Sequence, residues 1–381
     1  MQKVQNKIKV SLGIVCGLLA LSAVLIGCQS KPAHDASVTS DNQPISAELV
    51  SKATDEISVM SFNVENLFDA THDKDREDYT FLPIAEKRKN PEIQKFCSEM
   101  KNKTYREECQ QLDWNEDVVQ TKLKNISKVI RYVDHGQGPD NLFLLEVENE
   151  SILKRLVHDE LNDLGYQTIV LIEGPDLRGI DPGFISKLPL FGKPQLHLIP
   201  YVDADPEQLK WAKRSRGILE VTVKAPNDKP ITFLIAHFPS QGNPTEWRAQ
   251  AIQYAKKLMF EEQKKGHAVI FGGDLNIIDP EEKEKSYFKN EMSEVGDVSH
   301  LVGCKTCLGT HNYRGQWSHL DVLVYSKNLK QVGFELLPES IQVVRAPGHM
   351  RRNGTPFRFN AEKKEGVSDH FPLYSRLKIL K

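Results

Sequence analysis

From residue 57 onward, apolar runs alternate with amphipathic stretches along the chain. "ISVMSFNV" (57–64) and "NLFLLEV" (141–147) read as buried strands. Between them, residues 117–133 set Val119, Leu123, Ile126, Ile130 and Val133 on one helical face. "SILKRLVHDELNDLG" predicts a helix opened by Ser151 and closed by Gly165. "YQTIVLIEG", "GFISKL" and "QLHLIPY" follow as strands, and "PNDKP" joins "GILEVTVKA" to "ITFLIAHF" in a hairpin. "NPTEWRAQAIQYAKKLMFEEQKKG" reads as a helix with Asn243 as cap and Pro244 at its first position. The strand at 268–271 runs into "GGDLN"; after a loop region, "HLDVLVYS" (319–326) and "PLYSRLKIL" complete the pattern.

Parallel βα units mixed with hairpins predict an α/β (α+β) protein with helices packed outside sheets. Residues 70–116 break the rhythm: they are charged, carry Cys97 and Cys109, and separate the first strand from its helix. They read as an insertion.

The N-terminus follows a different rule. Lys3, Lys7 and Lys9 precede an apolar run, Val10 to Ile26, that ends in "LIGC" at Cys28. A basic start, a short apolar run and small residues before the cut predict an export signal over 1–27. "LIGC" resembles the lipobox of bacterial lipoproteins, which makes Cys28 the lipidated residue and the protein a membrane-anchored, exported one. Polar residues 28–54 then read as a flexible tether, and 55–381 as the folded domain. In an exported chain the remaining cysteines are expected as disulfides, Cys97–Cys109 and Cys304–Cys307. Without 1–27 the charges are 47 basic against 52 acidic, so no global basic bias marks a nucleic-acid binder.

Polar residues gather at one address, the end of a buried strand or the loop beyond it. They are Asn63 in "SFNVENLF", Glu146 in "LLEVEN", His237 in "IAHFPS", Asp274 and Asn276 in "GGDLN", Asp321 in "HLDVLVYS", and Asp369 and His370 in "VSDHFPL". Asp181 in "LRGIDPGFIS" is a further candidate. One Asp after a strand is usually a turn or cap, and one His in an apolar run is usually core. Several ionisable groups at a sheet end are costly to bury unless they share a site. Asn and carboxylates without thiolates suit Mg²⁺ or Mn²⁺, with Ca²⁺ as an alternative. With His and Asp beside them, they point to phosphate ester hydrolysis by an activated water.

The set "FNVEN", "LLEVEN", "RGIDPGFIS", "AHFPS", "GGDLN", "HLDVLVYS" and "SDHFP", in this order over roughly 57–380, resembles the endonuclease/exonuclease/phosphatase family. That resemblance implies a DNase I-like four-layer sandwich, two mixed sheets face to face with helices outside. It implies that Asn63 and Glu146 hold the metal with Asp369 beside them. It also implies that Asp274 activates water, Asn276 holds the scissile phosphate, and His370 contacts that phosphate, oriented by Asp321. His237 would be the second histidine and Asp181 its acidic partner. "LLEVEN" lacks the Gln that commonly precedes the metal Glu. Glu148 falls on the same strand face as Glu146 and is a rival or supporting acid.

For the substrate, "VRAPGHMRRNGTPFRFNAEKKEG" (344–366) puts Arg345, Arg351, Arg352, Arg358, Lys363 and Lys364 just before "SDH". These could ride a nucleic-acid backbone, with Phe357 and Phe359 stacking on bases; "WAKRSRG" (211–217) is a second basic cluster. The leading expectation is an exported nuclease that acts as a monomer. Phospholipid or small phosphate esters are the alternative substrates, although no apolar membrane-seeking hairpin stands out, and a non-catalytic binding lipoprotein is the third reading.

Overall fold

The computed structural model describes residues 52–381, Ala204 excepted. The export signal, Cys28 and nearly all of the tether lie outside these residues.

Two mixed sheets dominate. The first orders its strands Phe334–Leu336, Leu373–Ile379, Glu56–Leu67, Asn141–Val147, Asp181–Ser186 and Thr168–Leu171, with Gln342–Val343 also pairing to Leu373–Ile379. The second runs Gln195–His197, Ile218–Lys224, Pro230–His237, Ala268–Asp274, Asp321–Ser326 and Gly296–Val298. Their inner faces bury Ile57, Val59, Phe143, Phe184, Phe233, Ile270 and Leu323 in one core. Phe233 is its hinge, 5.6 Å from the Phe143 ring and 5.0 Å from the Phe184 ring. Truncating a buried Phe of this kind to Ala costs about 3–5 kcal/mol. Outside, helix Glu116–Ile130 covers the first sheet and helix Thr245–Lys264 the second, each over its own apolar cluster. The expected four-layer sandwich is therefore formed.

Strand alternation then decides which polar side chains meet. In Glu56–Leu67, Ile57 and Val59 enter the inter-sheet core, while Met60, Phe62 and Val64 face the helices. Continuing the count puts Asn63 on the inter-sheet side at the strand's end. The same count leads from Phe233 and Ile235 to His237, from Ile270 to Asp274, and back from Tyr325 and Leu323 to Asp321. His237, Asp274 and Asp321 stand opposite one another on three neighbouring strands.

The paired glycines of "GGD" allow this close approach. A Cβ on Gly272 would meet the Val322 carbonyl oxygen at 2.1 Å, and one on Gly273 (φ +132°) the Ala236 oxygen at 2.0 Å.

Glu146 breaks the alternation. It would follow Leu142 and Leu144 toward the helices, but its φ is +64° and the register slips between Leu144 and Val147. This bulge separates it from Glu148, contrary to the strict pleat expected from sequence. Glu148 instead accepts the Asp69 N–H at 2.7 Å, beside Asp73 and Asp78.

The 70–116 segment carries three short helices, Ile84–Lys89, Pro91–Glu99 and Lys103–Gln111. Cys97 and Cys109 are bonded with Cα atoms 5.4 Å apart, inside a small cluster with Leu82 and Ile93. Lys87 is buried there, its ammonium donating to the carbonyls of Thr80, Cys109 and Leu112. Cys304–Cys307 closes a tight loop, Cα atoms 5.2 Å apart.

Two helix starts differ from expectation. Asn149, not Ser151, caps the helix Glu150–Arg155, which gives way to a wider π turn over Leu156–Glu160. Asn243 spends its amide on Ser240, so Thr245–Lys264 begins without a side-chain cap. The region between 275 and 318 is not a plain loop, since it carries helix Asp279–Lys285 and the hairpin His311–Tyr313/Gln316–Ser318.

Candidate active site

The inward-facing strand ends converge on one polar cluster. Asn63 is its bridge: its amide donates to Asp274 Oδ2 at 2.9 Å and to Glu146 Oε1 at 3.2 Å. Its amide oxygen accepts the Glu65 N–H at 2.9 Å, which leaves one lone pair for an ion. Asn66 N–H donates to Glu146 Oε2 at 3.0 Å. Burial pushes the Glu146 pKa up, but His237, Arg178, Arg216 and the Asn63 amide outweigh it and hold it at about 2. Glu146 is thus an ionised carboxylate at neutral pH, within the field of Arg178 and Arg216.

Asp274 lies between the two histidines, its Oδ2 3.6 Å from His237 Nε2 and 3.8 Å from His370 Nε2. Burial raises its pKa to about 7, with Asp321 adding to the rise and His370, Asn63 and the Asn276 N–H opposing it. A carboxylate poised near neutrality suits a general base. Asn276, in the left-handed region at φ +51°, donates its N–H to Asp274 Oδ1 and its amide to the Phe238 carbonyl, at 2.9 and 3.0 Å.

The histidines are driven in opposite directions. Burial and then Arg216 lower His237 well below the ordinary range. Burial would lower His370 too, but the carboxylates of Asp321 and Asp274 overcome it and raise it well above that range. His370 Nδ1 is 2.7 Å from Asp321 Oδ2, an orientation that fixes the tautomer and favours the imidazolium.

The loop carrying Asp369 and His370 is pinned from three sides. Ser368 Oγ donates to the Asn63 carbonyl at 2.6 Å, Lys122 Nζ to the Val367 carbonyl at 2.8 Å, and Asn125 Nδ2 to the Gly366 carbonyl at 3.0 Å. His349, wedged between Phe62 and Phe371, meets the Ser368 carbonyl at 3.1 Å. Glu65 and Lys122, both buried, are displaced by burial to about 8 from opposite sides.

Not every expected residue joins the cluster. Asp181 accepts the Gly174 N–H at 3.0 Å, and neither its other oxygen nor His237 Nδ1 has a hydrogen-bond partner. The Asp181–His237 hydrogen bond implied by the resemblance is thus not made. Asp369 has no hydrogen bond or ion pair to Asn63 or Glu146; it groups with His370 and His311 instead.

The basic stretch also resolves unevenly. Arg351 and Arg352 are exposed, and Arg351 lies over the Phe357 ring at 4.8 Å. Arg358 is bound to buried Glu65 through its Nε, within reach of the field of Asp369. Arg345 is buried against Trp317 and Phe371. Phe359 packs on Trp114 under Lys122, so it is no free stacking platform.

Lys122, Arg178, His311 and His349 are missed by motif reading. Lys122 looks like one more helix-surface lysine, Arg178 opens the stretch "RGIDPGFIS" beside the more conspicuous Asp181, and His311 and His349 lie outside the matching motifs.

The donor set fits a hard divalent ion. Glu146 is anionic and partly buried, and the Asn63 oxygen is beside it, with no thiolate present. The Mg²⁺ or Mn²⁺ expected from sequence would be held there.

A sequence model of the Endonuclease/Exonuclease/phosphatase family matches residues 94–379. No curated protein matches the chain. Among solved structures, Caenorhabditis elegans TDP2 is 16% identical, with 88% of this chain and 77% of that one covered and a TM-score of 0.48. An endonuclease/exonuclease/phosphatase family protein from Bacteroides thetaiotaomicron is 14% identical over 86% of this chain and 98% of that one, TM-score 0.49. The human Nocturnin catalytic domain is 14% identical over 85% and 95%, TM-score 0.44. From the family match over most of its length, this chain belongs to the endonuclease/exonuclease/phosphatase family.

Proposed function

We propose that this protein is a metal-dependent phosphodiesterase acting on DNA or RNA, exported and anchored to a membrane through Cys28. The observation that carries the chemistry is Asp274, set within 4 Å of the Nε2 atoms of a neutral His237 and a charged His370.

Asp274 takes a proton from a water whose oxygen attacks phosphorus. His370, held by Asp321, faces the phosphate as an imidazolium and stabilises the charge that builds on its oxygens. Asn276 orients the ester by hydrogen bonding. The P–O ester bond breaks, and the departing oxygen takes its proton from solvent water. Mg²⁺ or Mn²⁺ at Glu146 and Asn63 supplies Lewis-acid charge when bound.

Arg351 and Arg352, exposed in the loop that leads into Asp369–His370, support a polyanionic substrate. A second reading, phospholipid hydrolysis, is favoured by Leu190, Phe191, Leu198, Val202 and Trp211. These are large apolar side chains exposed along one segment, which the sequence pattern does not reveal.

The test is Mg²⁺-supported turnover of plasmid DNA, RNA, sphingomyelin and a generic phosphodiester by the exported chain. Nucleic-acid cleavage supports the first reading, and lipid turnover alone moves the assignment to the second. No turnover of any substrate overturns both and leaves a binding lipoprotein.

A further inference from the structure

His311 was not anticipated by any motif, yet it completes a second donor set at the rim of the site. It sits on the strand His311–Tyr313 and bridges antiparallel to His370, with the Phe371 N–H donating to the Thr310 carbonyl at 2.8 Å. The two imidazole centroids are 4.8 Å apart. One ligand atom from each of His311, Asp369 and His370 lies within 4.8 Å of the other two.

Among the described residues, this is the only group of three such side chains close enough to share an ion. Neither the His311 ring nor the Asp369 carboxylate has a hydrogen-bond partner among these residues. His370 spends Nδ1 on Asp321, so its Nε2 is left as the ligating nitrogen. A carboxylate behind a ligating imidazole is a common supporting arrangement at metal sites.

The chemistry differs from that of Asn63 and Glu146. Two imidazoles and one carboxylate match a borderline-soft ion such as Zn²⁺, with a fourth position for water, and match Mg²⁺ poorly. We propose that His311, Asp369 and His370 form a separate site for a zinc-like transition-metal ion, and that this ion, by occupying His370, inhibits the Mg²⁺-supported reaction. The inhibition rests on the phosphodiesterase reading; the binding does not.

The test titrates Zn²⁺ alone into the wild-type chain and into His311→Ala and His311→Gln by calorimetry, with Co²⁺ absorption as a second readout. Either variant serves if it melts like wild type. The expected result is that one equivalent binds at least tenfold more weakly in the variant and that the matching Co²⁺ band is lost. His311→Asp, which restores a ligand, should regain both. Equal stoichiometry and affinity in wild type and variant overturns the site, as does a wild type that binds no Zn²⁺.

In the activity arm, the expectation is that Zn²⁺ inhibits Mg²⁺-supported turnover at concentrations at least tenfold lower for wild type than for His311→Gln. Equal sensitivity overturns the inhibitory role. Absence of any turnover contradicts the phosphodiesterase reading while calorimetry still reads the metal site.

Discussion

His370 and Asp321 meet across 2.7 Å, Nδ1 to Oδ2, and Asp321 in turn stands opposite Asp274 in strand register. One carboxylate thus orients and charges the imidazole from behind, while the other waits in front of it. Asp321→Asn should lower turnover about 10²–10⁴-fold, in the range of a lost acid–base partner. It should also change the pH profile. A charged His370 is lost as pH rises through its raised pKa, and removing Asp321 lowers that pKa, so the alkaline limb moves to lower pH. A rate–pH profile measures this. An unmoved limb would mean that Asp321 does not set the charge on His370.

Gly273 tests the packing behind the site. A methyl group there points into the Ala236 carbonyl from a backbone conformation that only glycine adopts easily. Gly273→Ala should cost about 3 kcal/mol or more, among the larger single-residue effects. Urea unfolding reads it, and a variant of wild-type stability would show that the strands can part there without loss.

The insertion depends on its crosslink. Cys97–Cys109 ties two helices over a core of four buried side chains, too few to hold alone. Replacing both cysteines by serine should destabilise the segment by about 3 kcal/mol, from loop closure. It should open residues 84–111 to limited proteolysis before the rest of the chain is cut. Uniform resistance in the variant would argue against local unfolding.

His349 sets a pH limit on stability. Burial, chiefly, lowers its pKa to about 3 in the folded chain, against about 6.5 when unfolded. As pH falls through this window the unfolded chain takes up the proton first, so stability falls, by at most about 1.4 kcal/mol per pH unit. His349→Phe should flatten the decline in urea midpoint between about pH 6.5 and pH 4. Identical slopes in the two proteins would assign the decline to other groups.

Most of the sandwich and the cluster are legible in the sequence because they follow one rule, alternation along buried strands. That rule brings Asn63, His237, Asp274 and Asp321 to one side. It fails where the backbone departs from period two. The left-handed backbone of Glu146 separates it from Glu148, and Asp181 accepts the Gly174 N–H while making no hydrogen bond to His237. A helix start follows whichever polar side chain reaches the free N–H groups: Asn149 accepts the Ile152 N–H in place of Ser151, whereas Asn243 bonds Ser240 and caps nothing. Lys122 and His349 are invisible to motif reading because their partners are backbone carbonyls of a loop more than a hundred residues or one turn of fold away. His311 needed the β-bridge to His370, a long-range pairing no local pattern encodes.

The most direct test of the central claim is hydrolysis of a generic phosphodiester by wild type and Asp274→Asn, with Mg²⁺ and after chelation. The account predicts turnover that needs the metal and falls at least about 10²-fold in the variant, with the melt preserved. Turnover by a folded Asp274→Asn at the wild-type rate would contradict it.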